Sequence, residues 1–259
     1  PLIAYTDTAA VDTLRYSTYN TNWSAEATGP DTNDNNLTWH VAKTAPVGRE
    51  HVVLAASYTN KTLYAFLYNG STWATKNLGT INTTDYRCFN AAYEHASGDL
   101  VIAAATTTAN QIKYWVWNGT SWVVDGSTYT YTTIDRTINW ARMASQPGTN
   151  QVSLIVMDND SDVVGLIWDG NVNTWGNEKK LGTATATDPE AIAVEYMQAS
   201  TYAGQALFVW GQSTTLYSWT WTGTAWEGVA AKSKAGLSGN IRWISLAADP
   251  SSDDMLVAL

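Results

Sequence analysis

The hexapeptides YNGSTW (residues 68–73), WNGTSW (117–122) and WTGTAW (221–226) are near-copies of one pattern. Two weaker copies are YNTNW (19–23) and WDGNVNTW (168–175). Their closing tryptophans, at positions 23, 73, 122, 175 and 226, are separated by 50, 49, 53 and 51 residues. A second marker repeats in step, an aromatic or aliphatic residue seven positions before a turn. This common period predicts five repeats in one domain, residues 1–259. The second marker comprises Trp39, Phe89, Trp140, Ile192 and Trp243.

Composition excludes several function classes. The formal net charge of −9 repels phosphate backbones, so nucleic-acid binding lacks its main electrostatic contribution. The sequence contains no run of 18 apolar residues, so it predicts no membrane-spanning helix. The single Cys88 forms no internal disulfide, and the three histidines show no zinc-ligand spacing. The sequence therefore predicts no structural metal site and no cofactor.

Polar loops and glycosylation motifs predict an extracellular or cell-surface location. Thr, Ser and Asn are abundant between the apolar segments, and Lys is rare. Seven N-x-S/T motifs could accept glycans. They begin at Asn22, Asn36, Asn60, Asn69, Asn82, Asn118 and Asn159.

Each repeat predicts four antiparallel strands. Short segments of β-branched and aromatic residues alternate with turn signals every eight to twelve positions, as in QVSLIVM (151–157) and VVGLIW (163–168). A four-stranded sheet cannot bury both faces alone, so the sheets must stack, either in an open solenoid or around an axis. Small residues in the first strand of each repeat favour an axis. The predicted fold is an all-β, five-bladed β-propeller with about 51 residues per repeat.

The repeated hexapeptide is interpreted as a hairpin whose rings pack between blades. Asn-Gly favours a tight hairpin with positive φ, and an aromatic residue flanks the turn on each strand. Tyr68, Trp117, Trp168, Trp221 and the closing tryptophans are therefore expected to be packing residues rather than ligand contacts.

The repeats and their turns resemble those of β-propeller repeat proteins, in particular the five-bladed lectins of the tachylectin type. The turn and its tryptophan also resemble a degenerate Asp-box, S-x-D-x-G-x-T-W, and WDGNVNTW is the nearest copy. The resemblance implies a propeller fold. It assigns no functional residue.

The two chain ends suggest complementary parts of one blade. The segment PLIAYTD (1–7) and the segment DDMLVAL (253–259) each lie within a strand pattern. Together they exceed a normal repeat by about one strand. One blade is therefore closed by both ends, or one strand is surplus and pairs with another chain, giving an oligomer or polymer.

Acidic residues recur just ahead of the innermost strands, at Asp34, Asp85, Asp135 and Asp188. Such equivalence favours a turn role through Asx-type hydrogen bonds. The alternative is a polar rim on one face of the ring, which binds a small polar ligand or a cation such as calcium. Glu94 and Glu195 are expected to line the channel in contact with water. The rim comprises Asp85, Tyr86, Arg87, Asp135, Arg136, Asp188 and Glu190.

No nucleophile motif or phosphate-binding glycine loop is present, and Cys88 is expected to be a small core residue. The sequence predicts a non-catalytic, lectin-like module that binds glycans or cell-surface polymers. One alternative is a structural subunit of an extracellular filament, sheath or adhesin joined through terminal strands. Others are a module of a longer repeat protein and a glycoside hydrolase that uses Asp188 or Glu195.

Overall fold

The chain folds into six antiparallel sheets. The computed structural model describes residues 1–6, 12–34, 36–48, 50–185, 189–199, 202–228 and 230–259, and these residues contain no helix. Sheet I comprises β1 (Leu2–Tyr5), β2 (Thr13–Thr18) and β3 (Ala27–Asp31). Sheet II comprises β4 (Leu37–Thr44), β5 (His51–Ser57), β6 (Thr62–Tyr68) and β7 (Trp73–Thr80). Sheet III comprises β8 (Phe89–Tyr93), β9 (Leu100–Ala105), β10 (Gln111–Trp117) and β11 (Trp122–Thr130).

The remaining strands form three further sheets. Sheet IV comprises β12 (Ile138–Ser145), β13 (Gln151–Asp158), β14 (Asp162–Asp169) and β15 (Thr174–Thr183). Sheet V comprises β16 (Ile192–Tyr196), β17 (Ala206–Gln212), β18 (Thr215–Trp221) and β19 (Lys232–Lys234). Sheet VI comprises β20 (Ser245–Ala248) and β21 (Met255–Ala258). The predicted four-stranded unit is thus present in sheets II to V.

Burial along the strands explains the layered arrangement. In β13 every residue after Gln151 is buried, and β9 is buried throughout. Both faces of these middle strands are covered, so their sequences are continuously apolar rather than alternating. The outermost strand β11 alternates between partly buried and exposed residues, as expected for a strand with one face in water. Consecutive sheets therefore pack face to face.

An apolar cluster occupies each junction between consecutive sheets. Leu14 of sheet I packs with Val53 and Phe66 of sheet II, and one large cluster joins sheets II, III and IV. Further clusters join sheet IV to sheet V, and Val209 of sheet V to Ile244 ahead of sheet VI. Burial of these surfaces is the main contribution to stability, at about 25 cal/mol per Å² of apolar area. A sheet that could not stand alone is thus stabilised by its neighbours.

The repeated hairpins have the predicted backbone and aromatic pairs. Gly70, Gly119 and Gly223 have φ values of 95°, 85° and 96°, in the left-handed region that glycine adopts without steric cost. In every repeat the ring that precedes the turn contacts the closing tryptophan. The centroid distances are 5.2 Å for Tyr19–Trp23, 4.8 Å for Tyr68–Trp73, 5.3 Å for Trp117–Trp122, 5.2 Å for Trp168–Trp175 and 5.5 Å for Trp221–Trp226.

The two terminal sheets are separate. β1 pairs with β2 and β21 pairs with β20, and no ladder joins sheet I to sheet VI among the described residues. Closure of one blade by both ends is therefore not observed. The reason lies in which strands of the unit the two ends supply. β1 lies before the strand that leads into the repeated hairpin, as β5 does in sheet II. β21 follows an innermost strand, as β5 also does. Both strands correspond to the second strand of a unit, which accounts for the surplus strand in the sequence.

Cys88 is a core residue, as expected. It is fully buried in the apolar cluster that joins sheets II to IV, and its Sγ lies 3.4 Å from the Thr83 carbonyl oxygen. Burial raises the pKa of its thiol to about 11. The described part of the chain offers no helix with the length and apolar character that a membrane crossing requires.

Candidate functional site

Residues of the first strands of sheets II to V, and of β20 and the segment before it, line a small polar cavity, which we call the central cavity. Its volume is about 120 Å³. Sheets II to VI each contribute to its walls. The lining residues are Lys43, Asn90, Arg142, Met143, Ala193, Val194, Glu195, Ile244, Ser245 and Leu246.

Two of the lining groups carry opposite charges. The amide nitrogen of Tyr196 donates a hydrogen bond to Glu195 Oε1 at 2.9 Å. Burial raises the pKa of Glu195 and lowers the pKa of the Lys43 ammonium, and mutual attraction partly opposes both shifts. Glu195 thus lines the channel as predicted.

A buried carboxylate next to the cavity is held by two arginines. Glu190 precedes β16 and forms a parallel bridge with Trp243, which precedes β20. Its Oε1 lies 2.7 Å from Arg142 Nε and also accepts a hydrogen bond from Arg87 Nη2. The side chain of Glu190 is only 1% exposed. Burial raises its pKa, and the two guanidinium groups oppose that shift.

Aromatic rings flank this ion cluster. The guanidinium of Arg142 lies 5.0 Å from the ring centroid of Trp243, which is 49% exposed. Tyr86 and Trp39 pack against Trp140 at centroid distances of 5.4 and 5.6 Å. Trp39 has a φ of 53°, in a bulge of β4, and its indole N–H donates to the Thr84 carbonyl oxygen at 2.8 Å.

The structure brings together only part of the predicted rim. Arg87 and Glu190 lie next to the central cavity through their contacts with each other and with Arg142, and Tyr86 packs against Trp140. Asp85 is exposed and does not line the cavity, and Asp188 lies outside the described residues. Among the described residues, no three His, Cys, Asp or Glu side chains come together as metal ligands.

Asp135 and Arg136 belong to a separate surface cluster. The side chain of Asp135 is 82% exposed, and its Oδ2 lies 3.2 Å from Arg136 Nη1. Arg136 Nε also lies 2.9 Å from Asp160 Oδ2, in the turn between β13 and β14. This pairing places Arg136 at the surface, and neither residue lines the central cavity.

The sequence interpretation missed Arg142. It lies in INWARMAS, a segment interpreted only as a strand of small residues next to the axis. A cation within a strand that is otherwise small and apolar was the available signal, because such a residue needs a partner when it is buried.

Among the described residues, Asp34 does not make the backbone hydrogen bonds that were predicted for the equivalent aspartates. This side chain is buried, and its carboxylate accepts hydrogen bonds from the Tyr64 hydroxyl, at 3.0 Å, and from the side-chain amide of Asn60. These donors are side chains of the next hairpin rather than the Asx-type backbone groups that were expected. Asx-type bonds do occur in the repeated hairpins, where Asn69 Oδ1 accepts from Thr72 N at 2.8 Å.

Glu94 was expected in the channel and instead lies between sheets III and IV. It is 1% exposed, and its Oε1 accepts a hydrogen bond from Trp168 Nε1 at 2.6 Å. Its Oε2 accepts a second bond from Ser97 Oγ at 2.6 Å. Burial raises the pKa of Glu94, and these two donors oppose the shift. The indole N–H satisfies a carboxylate that would otherwise be costly to bury.

The same contact recurs at two other junctions. Between sheets II and III, Trp117 Nε1 donates to Glu50 Oε2 at 3.0 Å. Between sheets IV and V, Trp221 Nε1 donates to Gln151 Oε1 at 2.6 Å. Trp168 and Trp221 are 0% and 1% exposed, which confirms their predicted packing role. Each of these three junctions is occupied by a ring and a polar side chain of the preceding sheet.

The junction between sheets I and II is open. It contains a cleft of about 530 Å³, which we call the sheet I–II cleft. Pro1 stands before β1 where Glu50 stands before β5, and it carries no acceptor side chain. The lining residues are Pro1, Thr18, Tyr19, Asn20, Thr44, Gly48, His51, Tyr68 and Gly70.

The cleft combines ring faces with hydrogen-bonding groups. The His51 imidazole stacks on Tyr68 with a centroid distance of 6.3 Å and an interplanar angle of 24°. Thr44 Oγ1 and His51 Nδ1 are 2.9 Å apart. Tyr19 and its partner Trp23 are 41% and 49% exposed. Burial lowers the pKa of His51, so its imidazole is neutral at pH 7 and offers one donor and one acceptor.

Comparison with known proteins identifies the fold. No family model and no curated protein sequence matches the chain. A mutant of the Aleuria aurantia lectin in complex with Fucα1-6GlcNAc superposes with a TM-score of 0.55. It is 16% identical, and the alignment covers 99% of this chain and 82% of that lectin. Another structure of this lectin, with a TM-score of 0.51, is described as a six-bladed β-propeller; identity is 16%, and coverage is 94% of this chain and 78% of that one.

Two further structures support the same architecture. SapL1 lectin in complex with α-methyl fucoside is 14% identical over 92% of this chain and 77% of that lectin, with a TM-score of 0.52. A mutant of NanB sialidase from Streptococcus pneumoniae is 9% identical over 93% of this chain and 59% of that enzyme, with a TM-score of 0.57. At these identities the likeness concerns the fold alone: an all-β structure of the β-propeller type.

Proposed function

We propose that this protein is a non-catalytic, lectin-like β-propeller that binds a neutral carbohydrate in the sheet I–II cleft. The observation that carries the proposal is the cleft itself, which is lined by the exposed ring of Tyr19 and by hydroxyl, amide and imidazole groups. Propeller lectins with bound fucosides share the fold, which agrees with this assignment.

The chemistry of the cleft suits a sugar. Its volume of about 530 Å³ lies within the range of small-molecule sites. Tyr19 is 41% exposed and presents an amphipathic ring, whose face can pack against the C–H groups of a pyranose. Tyr68 also lines the cleft, but it is 8% exposed and its ring is already stacked with His51. Thr18, Asn20 and His51 supply donors and acceptors for sugar hydroxyls. No carboxylate, Lys or Arg side chain lines the cleft among the described residues, and the amino group of Pro1 lies close enough to His51 to contribute to lowering its pKa.

We propose ligand binding at one junction only. At three other junctions a tryptophan N–H is bonded to Glu50, Glu94 or Gln151 of the preceding sheet. A sugar there would have to displace a buried hydrogen bond, which costs about 1 to 3 kcal/mol. We therefore propose one principal site.

Isothermal titration calorimetry tests the proposal. Methyl α-L-fucoside is the first probe, followed by methyl glycosides of galactose, mannose and N-acetylglucosamine. We expect one site per chain for at least one of these sugars. Tyr19→Ala should weaken that binding about tenfold, which corresponds to about 1.4 kcal/mol.

Tyr202→Ala is the matched control. Tyr202 is also an exposed tyrosine, at 46%, and it does not line the cleft. Its replacement should leave affinity unchanged. Equal losses in both variants, or a glycan array without any bound neutral sugar, would show that the assignment is wrong.

We also propose a ring of five blades, closest in plan to tachylectin-type lectins. Five innermost strands around the central cavity and five repeated hairpin pairs support this number. The alternative is six blades, as in the six-bladed lectin described above. An electron-density map of the protein would distinguish the two by direct count.

The absence of catalysis is part of the proposal. A glycosidase needs a proton donor and a second carboxylate on either side of the sugar bond. Glu195 lines a cavity of only about 120 Å³, which leaves little room for a substrate. Hydrolysis of aryl glycosides that is abolished by Glu195→Gln would overturn this part.

A filament or adhesin subunit is the second candidate function. β1 and β21 are edge strands that pair on one side only among the described residues. Ile3 and Leu256 are 47% and 69% exposed on them. Such edges can accept a strand from another chain. Polymers seen by analytical ultracentrifugation, and lost on deletion of residues 1–6, would favour this function.

We further propose an extracellular or cell-surface location with partial glycosylation. Asn22, Asn118 and Asn159 are exposed, as an acceptor must be. Asn82 is partly buried, and its Nδ2 donates to the Ile138 carbonyl oxygen at 3.2 Å. Mass spectrometry of protein from a secreting eukaryotic host should therefore find glycans at Asn118 and none at Asn82.

A further inference from the structure

The ion cluster beside the central cavity is not fully hydrogen-bonded: Arg142 has buried nitrogens without an acceptor, and Glu190 Oε2 has no donor among the described residues. We propose that the central cavity binds one small oxyanion, of carboxylate or phosphate size, between Arg142 and Lys43. This site is independent of the sheet I–II cleft and of the sugar proposed there.

Arg142 is held by an ion pair and a ring contact, and two of its nitrogens, Nε and Nη2, have no hydrogen-bond partner among the described residues. Its Nε contacts Glu190 at 2.7 Å, and its guanidinium lies 5.0 Å from the Trp243 ring centroid. Its Nη2 is buried and has no hydrogen-bond partner among the described residues. A buried guanidinium N–H without an acceptor is costly, and a planar guanidinium is well suited to an oxyanion.

Lys43 supplies the second cation. It reaches the cavity from β4, and its ammonium forms no hydrogen bond and no ion pair within 4 Å with any described residue. Glu195 faces the same cavity without pairing to it. The Ser245 hydroxyl adds a third donor to the wall.

The balance of charge favours an anion. Three cations, Arg87, Arg142 and Lys43, stand against two carboxylates, Glu190 and Glu195, among the described groups at this site. A positive centre within a protein of net charge −9 is stabilised when an anion occupies it. The volume of about 120 Å³ equals that of about four water molecules, which suits acetate or phosphate.

Thermal unfolding at constant ionic strength tests the site. Sodium acetate and sodium phosphate are titrated against sodium chloride. We expect a saturable rise of Tm with at least one oxyanion, about 5 °C at 100 times its Kd. Lys43→Met removes the ammonium from a side chain of similar length and should abolish the rise.

Lys113→Met is the matched control, because Lys113 is an exposed lysine within a strand and away from the cavity. It should retain the full rise. An equal rise in Lys43→Met, or a Tm that follows ionic strength alone in all three salts, would overturn the proposal.

Crystals of the unmodified protein soaked in selenate give a second measurement, needed if Lys43→Met does not fold. We expect an anomalous peak in the central cavity, next to Lys43 Nζ and the side chain of Arg142. Peaks confined to surface residues would mean an adventitious ion only and would overturn the proposal.

Discussion

The junction between sheets III and IV and the junction between sheets I and II are built on the same repeat and have opposite interiors. In the first, the Trp168 indole is buried and bonded to Glu94. In the second, Tyr68 occupies the position of the indole. Pro1, just before β1, occupies the position that Glu50 has just before β5, and a cleft of about 530 Å³ remains. The comparison teaches that one ring and one acceptor decide whether a junction is closed or keeps a cleft.

The largest expected effect is at the closed junction. Trp168→Ala should lower the free energy of unfolding by about 3 to 5 kcal/mol, because it leaves a cavity and an unpaired buried carboxylate. Denaturant titration monitored by circular dichroism measures it. Trp23→Ala, at the exposed equivalent of Trp175, should cost far less. Equal losses would remove the distinction between the two junctions.

A smaller effect is expected from the glycine opposite Glu94. A Cβ at Gly170 would collide with the Glu94 carboxylate, which two hydrogen bonds hold in place. Gly170→Ala should therefore cost about 1 to 3 kcal/mol. Gly176→Ala is the control, since its Cβ meets nothing within 4 Å, and it should change stability by less than about 0.5 kcal/mol. Thermal unfolding of both variants provides the measurement.

The ionisation of Glu94 should affect the pH dependence of the free energy of unfolding more than it affects the hydrogen bond with Trp168. Its folded-state pKa is raised by burial, so the protonated form is favoured in the folded protein. The stabilisation from this proton is fully present below the unfolded-state pKa and is lost as pH rises through the folded-state pKa. Glu94→Gln should therefore flatten the pH dependence of stability on the acidic side of neutrality.

At pH 7 Glu94→Gln should change the free energy of unfolding by no more than about 1 kcal/mol. Gln151 already makes the same contact with Trp221 through an amide, at 2.6 Å. Urea titrations between pH 4 and pH 8 compare the variant with the native chain. An unchanged pH profile would show that another group determines it.

The smallest effect is expected at the exposed pair. Tyr19 and Trp23 contact each other at 5.2 Å and are 41% and 49% exposed. Trp23→Ala should lower stability by only about 0.5 to 1 kcal/mol. A loss comparable to that of Trp168→Ala would mean that the pair is covered in the folded protein.

The repeated unit was predictable because its signals are local. Alternation, turn residues and the hairpin rings lie within about fifty consecutive residues, and they predicted the four-stranded sheets and the burial of Trp168 and Trp221. The surplus strand was also visible in the spacing. Its location was not, because two separate strands correspond to the same place in the unit.

The polar cluster was only partly predictable because its contacts are long-range. Arg87 and Glu190 are separated by 103 positions, and their meeting depends on how sheets III and V are arranged around the central cavity. Asp135 and Arg136 fit the same pattern in sequence but pair locally with Asp160. Glu94 lies in a junction because Trp168, 74 positions away in the chain, donates a hydrogen bond to it. The sequence around Glu94 alone does not contain this information.

The indole contacts also bear on how such a chain could have grown. Each of Trp117, Trp168 and Trp221 attaches its own repeat to the one before it through a single acceptor. A repeat duplicated within the gene would thus carry the indole N–H that bonds it to the preceding repeat. Gain or loss of whole repeats by recombination would then preserve the indole contacts between the repeats that remain.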